Sequence, residues 1–338
     1  MRTLLVASLL ALASAPALSA EPAFVPVFER NFPDPFITEH NGEFIAYSTN
    51  DGPNVPMATS RDLVTWAFVM DPADATKKRD AMPTLAPWAK AGSTWAPEVM
   101  KVGDHWILYY TAAYRKQNIQ CLGAAVARDP KGPFVDTSPE PFLCQRELGG
   151  TIDANPFRDR DGKLYLYFKN DGNRVRRPTR LWGVQLSADG LKLQGEPVDL
   201  GMTDKDRWEG GVIEAPTMVL TPQGHTMFYS AGFFGWDAKE RFSPYAMGYA
   251  SCQGPLGPCS DAKENPILYS YSDPGSTGCL SGPGHQNIFR ANGGTFISFH
   301  AWATTRSCRP HRESRYLYIA PFGWENGKPA IAPSLRGK

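Results

Sequence analysis

After its first twenty residues the 338-residue chain has no apolar run long enough to cross a bilayer, which needs about 20 consecutive apolar residues. No Cys-x-x-Cys pair occurs, which removes the usual sequence signal for a zinc site. Charge is scarce and balanced. Charged residues make up 20% and the net charge is +1, so there is no electrostatic case for nucleic acid or an anionic membrane as partner. No segment shows a long apolar stripe of helical period with caps, so helix is expected over less than about a tenth of the chain.

What is present starts with MRTLLVASLLALASAPALSA, residues 1–20: Arg2, an apolar run from Leu4 to Leu12, then mostly small residues to Ala20. This is the pattern of a secretory signal peptide, with cleavage expected after Ala17, Ser19 or Ala20 and an extracellular or periplasmic destination. All six cysteines follow it. An even number in an oxidising compartment favours disulfides, and although six cysteines allow fifteen connectivities, neighbour pairing is expected: Cys121 with Cys144, Cys252 with Cys259, Cys279 with Cys308.

Aromatic residues are plentiful at 12%, and most should be strand and core residues, with a minority in loops free to stack on sugar rings. The basic run NRVRRPTR, Asn173 to Arg180, reads as a solvated loop.

Five stretches share one plan: a polar or ionisable residue, usually with a proline nearby, a short apolar strand, a glycine turn and an aromatic-rich second strand. They begin at Asp34, Glu98, Asp153, Glu214 and His285, with turn glycines at Gly42, Gly103, Gly162, Gly224 and Gly294. Further strand patterns follow each pair, as NVPMATS and TWAFVM do in the first unit. A repeat of roughly sixty residues built from four antiparallel strands is the signature of a propeller. The expected fold is all-β, a five-bladed β-propeller forming one domain over residues 22–338. FVPVF, Phe24 to Phe28, is expected along the last blade, helping to close the ring.

In a propeller the innermost strands all start at the same end of the central channel, so the residues heading them converge. Four carboxylates and a histidine around one axis repel one another or need protons, water or a cation to offset the charge. Such a cluster marks a functional site.

At these residues the chain resembles glycoside hydrolase family 43, the five-bladed hydrolases of arabinan, xylan and related wall polysaccharides. The resemblance runs from about Asn31 to Arg315 through NFPDPF, SRDLVTW, STWAPEV, GTIDANPFRDRDGKLYL, VIEAP, GPGHQ and FHAW, in order and at blade spacing. It implies Asp34 as general base, Glu214 as general acid, and Asp153 as the carboxylate that orients the acid and sets its pKa. It also implies His285 as holder of a channel cation, often calcium, or an ordered water, and Arg315 as a substrate-binding residue; no organic cofactor is expected. Glu98 stands where the family more often has aspartate and is given no role. Trp95 is a candidate for stacking on the bound sugar, whereas His300 and Trp302 read as packed residues of the fifth blade.

Glycoside cleavage needs a carboxylic acid on the leaving oxygen and a carboxylate on the opposite face of the sugar. Carboxylates on blades one and four fit the wide, inverting spacing of about 6.5–9.5 Å, with Asp34 ionised and Glu214 keeping its proton. The retaining sucrose and fructan hydrolases share five blades, but their NDPNG and EC motifs are missing; Arg128-Asp129-Pro130 spells their RDP motif only in an outer strand. A non-catalytic carbohydrate-binding propeller would not need all three carboxylates. The expected substrate is an arabinose- or xylose-containing polysaccharide or oligosaccharide. Exo-acting α-L-arabinofuranosidase is favoured over β-xylosidase and endo-1,5-α-L-arabinanase.

Overall fold

The computed structural model describes residues 24–204, 208–236, 242–273, 278–332 and 335; the proposed signal peptide lies outside the described residues. The regular structure of the described chain is almost entirely strand, with two short 3-10 turns at Arg146–Leu148 and Gly172–Val175. Four blades are four-stranded antiparallel sheets in simple sequential order. Blade one comprises Phe36–His40, Glu43–Tyr47, Met57–Ser60 and Ala67–Phe68. Blade three runs from Thr151–Arg158 to Leu193–Thr203, blade four from Ile213–Thr221 to Cys259–Asp261, and blade five from Gly284–Ala291 to Lys328–Ile331.

Blade two departs from the expected four strands. It has three, Ala89–Val102, His105–Tyr114 and Gln120–Ala127, and among the described residues the third is met beyond the sheet by single bridges to Val135, Leu143 and Gly150. The chain there runs through DPKGPF and TSPEPF, and proline has no N–H to give to a ladder, so a regular fourth strand cannot form.

The second strands explain why the blades pack into a ring. Successive side chains of a strand point to opposite faces, and here both faces are buried. In HWILYYTA, Trp106, Leu108 and Tyr110 pack against Ile45, Tyr47 and Met57 of blade one. Ile107 and Tyr109 turn instead to Leu164, Leu166 and Phe168 of blade three. The same alternation continues around the ring: Tyr165 and Tyr167 meet Met227 and Tyr229, Phe228 meets Phe299, and Phe44 and Ala46 meet Leu317 and Ile319. Five apolar seams result. Burying one such large side chain stabilises by about 1.5–3 kcal/mol, so the seams are what hold neighbouring blades in register.

The N-terminal segment takes the place expected of it. The Val27 N–H donates to the Leu317 carbonyl at 2.9 Å, Phe28 bridges Leu317 antiparallel, and the Phe32 N–H donates to the carbonyl of Arg315 at 2.8 Å. Start and end of the ring therefore share one blade. The three disulfides are those expected, Cys121–Cys144, Cys252–Cys259 and Cys279–Cys308. Among the described residues no helix is long and apolar enough to cross a membrane.

Candidate active site

All five inner strands enter the channel through the same backbone kink. Asp34, Ala96, Asp153, Ala215 and His285 have φ of 55°, 43°, 60°, 52° and 52°, a left-handed region that residues with a Cβ seldom adopt. In blades two to five the pairing with the second strand slips at this point, between Trp95 and Glu98, Ile152 and Asn155, Glu214 and Thr217, and Gly284 and Asn287. An extra residue of this kind is a β-bulge, which turns a side chain out of the sheet plane.

Each kinked amide is anchored to the preceding blade, which offsets the strain. Asp34 N–H faces His300 Nδ1 at 3.1 Å, Ala96 N–H donates to Thr49 Oγ1 at 2.9 Å, and Asp153 N–H to Thr111 Oγ1 at 3.3 Å. Ala215 N–H donates to Asp153 Oδ2 at 3.0 Å and His285 N–H to Ser230 Oγ at 2.8 Å.

This geometry corrects the alignment of the repeats in two blades. The equivalent of Asp34 in blade two is Ala96, not Glu98, and in blade four it is Ala215, with Glu214 one residue earlier. Glu98 lies farther along its strand, buried, where Oε2 accepts from Asn155 Nδ2 at 2.8 Å while Asn155 Oδ1 accepts from Met218 N–H at 3.0 Å. Burial pushes its pKa well above the usual range. Glu98 thus ties blades two and three together beneath the site.

Asp34, Asp153 and Glu214 line one cleft of about 430 Å³ with Trp95, His285 and Arg315, all of them residues singled out in the sequence. Asp34 Oδ1 is 2.9 Å from Arg315 Nη1, 3.2 Å from His300 Nδ1 and 3.4 Å from His285 Nδ1, and Thr49 Oγ1 donates to Oδ2. Burial raises the pKa of Asp34, but Arg315, His285 and His300 outweigh it and hold the carboxyl well below its usual range. Asp34 is therefore ionised at any ordinary working pH. His300 was expected only to pack. It is fully buried, yet its ring lies against Asp34, and burial followed by the field of Arg315 lowers its pKa to about 4, so it is neutral beside the carboxylate. Trp302 likewise does more than pack: its Nε1–H donates to the Phe234 carbonyl at 2.7 Å, and its ring lies 5.8 Å from the Arg315 guanidinium.

Glu214 has its two oxygens held by different blades. Oε1 accepts from Tyr245 OH at 2.8 Å and Oε2 from Lys169 Nζ at 3.0 Å. Burial raises its pKa, but Lys169 and the Tyr245 hydroxyl bring it below the usual range. Asp153 has its pKa raised to about 6, by burial first, with His285 opposing and Glu214 adding to the rise. This differs from the expectation that Glu214 keeps the proton: of the pair, Asp153 is pushed towards the protonated form and Glu214 towards the carboxylate, because only Glu214 has a buried ammonium within hydrogen-bond reach.

Lys169, Tyr245, His300 and Thr49 were not found by sequence reasoning. Lys169 ends an apolar strand, LYLYFK, and has no solvent exposure. The other three sit on or beside second and third strands whose sequence signal is apolar and aromatic. A lysine closing a fully buried strand was the one signal available, since buried lysines are rare unless paired. NRVRRPTR is largely exposed, as expected of a loop, but Asn173 and Arg174 also line the cleft.

No group of three or more His, Cys, Asp or Glu side chains is arranged to hold a metal ion among the described residues. The side chains present thus do not fit a directly held cation. A calcium at His285, as the resemblance implies, would take its other donors largely from water.

The profile of Glycosyl hydrolases family 43 matches residues 24–329. A beta-D-galactofuranosidase, xynD, of Aspergillus niger is 25% identical over 308 residues, covering 85% of this chain and 78% of that protein. An extracellular exo-alpha-(1->5)-L-arabinofuranosidase, ArbA, of Cellvibrio japonicus is 26% identical over 152 residues, only 40% of this chain and 39% of that protein. Among solved structures, a thermostable family-43 glycoside hydrolase superposes with a TM-score of 0.76 at 24% identity, covering 92% of this chain and 96% of that one. With a five-bladed ring, three carboxylates converging on one cleft, and a family match over nearly the whole described chain, the protein is a glycosidase belonging to glycosyl hydrolase family 43.

Proposed function

We propose that the protein is an exported, inverting glycosidase that removes α-L-arabinofuranosyl residues from the ends or branches of arabinose- or xylose-containing wall polysaccharides. The observation that carries this reading is the opposite electrostatic treatment of two carboxyls in one cleft. Asp34 is held ionised by Arg315, whereas the Asp153–Glu214 pair retains one proton up to about pH 6. Separating the protonation states of two carboxyl groups is how one site supplies both an acid and a base.

In this mechanism Asp34 takes a proton from a water on one face of the sugar as that water attacks the anomeric carbon. Glu214 delivers a proton to the leaving oxygen on the other face. The pair of Asp153 and Glu214 titrates as a unit, so the reactive form is the arrangement with the proton on Glu214. A sugar in the cleft removes the remaining water from Glu214, whose side chain is 13% exposed, and desolvation favours its neutral form. Asp153, anchored through Ala215 N–H, keeps a negative charge near the acid once the proton has moved. Trp95, half-buried in the cleft wall, stacks on the sugar ring.

The test is a panel of aryl pentosides together with linear arabino-oligosaccharides, with the anomeric form of the product followed by NMR. Release of arabinose with inverted configuration is expected. Retention of configuration overturns the mechanism. Xylose release from β-xylosides or internal cleavage of arabinan transfers the assignment to β-xylosidase or endo-arabinanase, and binding without hydrolysis of any of them identifies a carbohydrate-binding propeller.

A further inference from the structure

At Arg174 the wall of the cleft runs out into a run of basic residues that the proposed chemistry does not use. Arg174, Arg176 and Arg177, on and just after the turn Gly172–Val175, are all exposed. Among the described residues none of the three guanidinium groups enters an ion pair. Their hydrogen-bond partners are neutral, Arg174 Nη2 donating to Asn118 Oδ1 at 2.8 Å and Arg177 Nη1 to the carbonyl of Glu147, and the one carboxylate of the cleft within the field of Arg174 is the largely buried Asp171.

Asn118 lies in the loop between the second and third strands of blade two, which adds Arg115 and Lys116 to the same rim, while Lys116 and Arg146 share the single carboxylate of Glu140. In a chain of net charge +1 this concentration is a local feature, not a reflection of composition. The loop is also built into the site. Asn173 Oδ1 accepts from Lys169 Nζ at 3.0 Å, the same ammonium that holds Glu214, and Asn173 and Arg174 line the cleft with Asp153 and Glu214. Arg176 caps the turn at φ 58°, which fixes the direction in which the chain leaves it.

We propose that this rim is a subsite for a carboxylated sugar, so that the preferred substrate chain bears a uronate close to the bond that is cut. The proposal rests on the glycosidase reading above. A guanidinium presents a planar fork of donors that matches a carboxylate, and a uronate is the sugar that brings a carboxylate to a glycosidase cleft. Each exposed contact contributes a factor of roughly 1.4 to 5, so two or three together give a preference of about tenfold at low salt. Screening shrinks that preference as ionic strength rises.

The experiment uses the full chain and two forms of one arabinose-decorated xylo-oligosaccharide, one bearing a single glucuronate and the other carboxyl-reduced at that sugar. At about 20 mM salt kcat/KM should favour the uronate form about tenfold, falling to about twofold near 0.5 M. In Arg174→Gln, and in the double variant Arg176→Gln with Arg177→Gln, the ratio should drop to about threefold or less. A ratio near one in the parent enzyme, or one the variants leave unchanged, overturns the proposal. A sulfated oligosaccharide of the same size that is preferred to the uronate form overturns the assignment to carboxylate. If neither form is hydrolysed, it is the arabinofuranosidase reading that fails, and calorimetric binding of the same two oligosaccharides still decides on the rim: equal Kd values sink it.

Discussion

Lys169 Nζ stands 3.0 Å from Glu214 Oε2, from a side chain with no solvent exposure. An ammonium in that position stabilises the carboxylate form of the proposed acid, and this pair, more than any other contact, sets where the proton of the cleft resides.

Replacing Lys169 by methionine should therefore move the basic limb of the kcat/KM profile to higher pH. Burial, which favours the protonated form, is then opposed only by the Tyr245 hydroxyl and His285. A pH-rate profile of Lys169→Met against the parent enzyme measures this, and a limb that stays near pH 6 rules out the ion pair as its determinant.

Asp153→Asn should move the same limb the other way. In the parent enzyme the pair loses its proton at about pH 6, so kcat/KM should fall above that value. Without Asp153 the remaining carboxyl is Glu214, held below the usual range by Lys169 and Tyr245, and the limb should move well to the acid side of its parental position. Aryl glycosides with good leaving groups need little protonation and should lose less activity than natural glycosides. Equal losses on both substrate types would make Asp153 a sugar-binding residue.

Stability should respond to the two aspartates with opposite signs. The folded pKa of Asp153 is raised, so its contribution is intact below the unfolded value near 4 and is lost as pH rises through about 6. Asp153→Asn should accordingly raise Tm at pH 7 and leave it little changed at pH 4, a gain on the order of 1 to 3 kcal/mol. Asp34 has a depressed folded pKa, so its contribution is present above about pH 4 and fades as pH falls through the folded value. Asp34→Asn should cost on the order of 3 kcal/mol at pH 7, because Arg315 loses its partner, and progressively less in acid. Thermal unfolding at both pH values tests the pair, and parallel shifts would contradict the charge assignment.

Asp34→Asn and Glu214→Gln should each lower kcat about 10²- to 10⁴-fold while the protein stays folded. External azide should restore part of the rate of Asp34→Ala, whose shortened side chain leaves room for a small anion where the carboxylate stood. Near-parental turnover on a natural substrate in either variant would remove that residue from the mechanism.

The ring was legible because its grammar is local. Each inner strand, its glycine turn and its aromatic second strand lie within about thirty residues, and alternate residues of HWILYYTA and LYLYFK reveal two buried faces. Asp34, Asp153, Glu214 and His285 were found because each stands in a short motif at the mouth of such a strand. The position of Glu98 was misjudged because sequence shows the proline of WAPEV but not the left-handed residue; that residue is Ala96, whose side chain carries no signal. Lys169 and His300 escaped because they come from the neighbouring blade, and what makes them functional is a contact across a seam; Tyr245 escaped because it reaches Glu214 from just before the third strand of the same blade. The proton's place on Asp153 was hidden for the same reason, since it depends on which carboxyl a distant ammonium reaches.

The joint between the N-terminal segment and the last blade has a temporal consequence. Asp34 is among the first residues of the ring to be synthesised and Arg315 among the last, 281 positions later, and the Phe32 N–H to Arg315 carbonyl bond places them face to face. Until that joint closes, the proposed base has neither its counter-charge nor the wall behind it. A nascent chain, or one truncated before Arg315, should therefore be silent, with no half-active stage, hydrolysis beginning when the circle is complete.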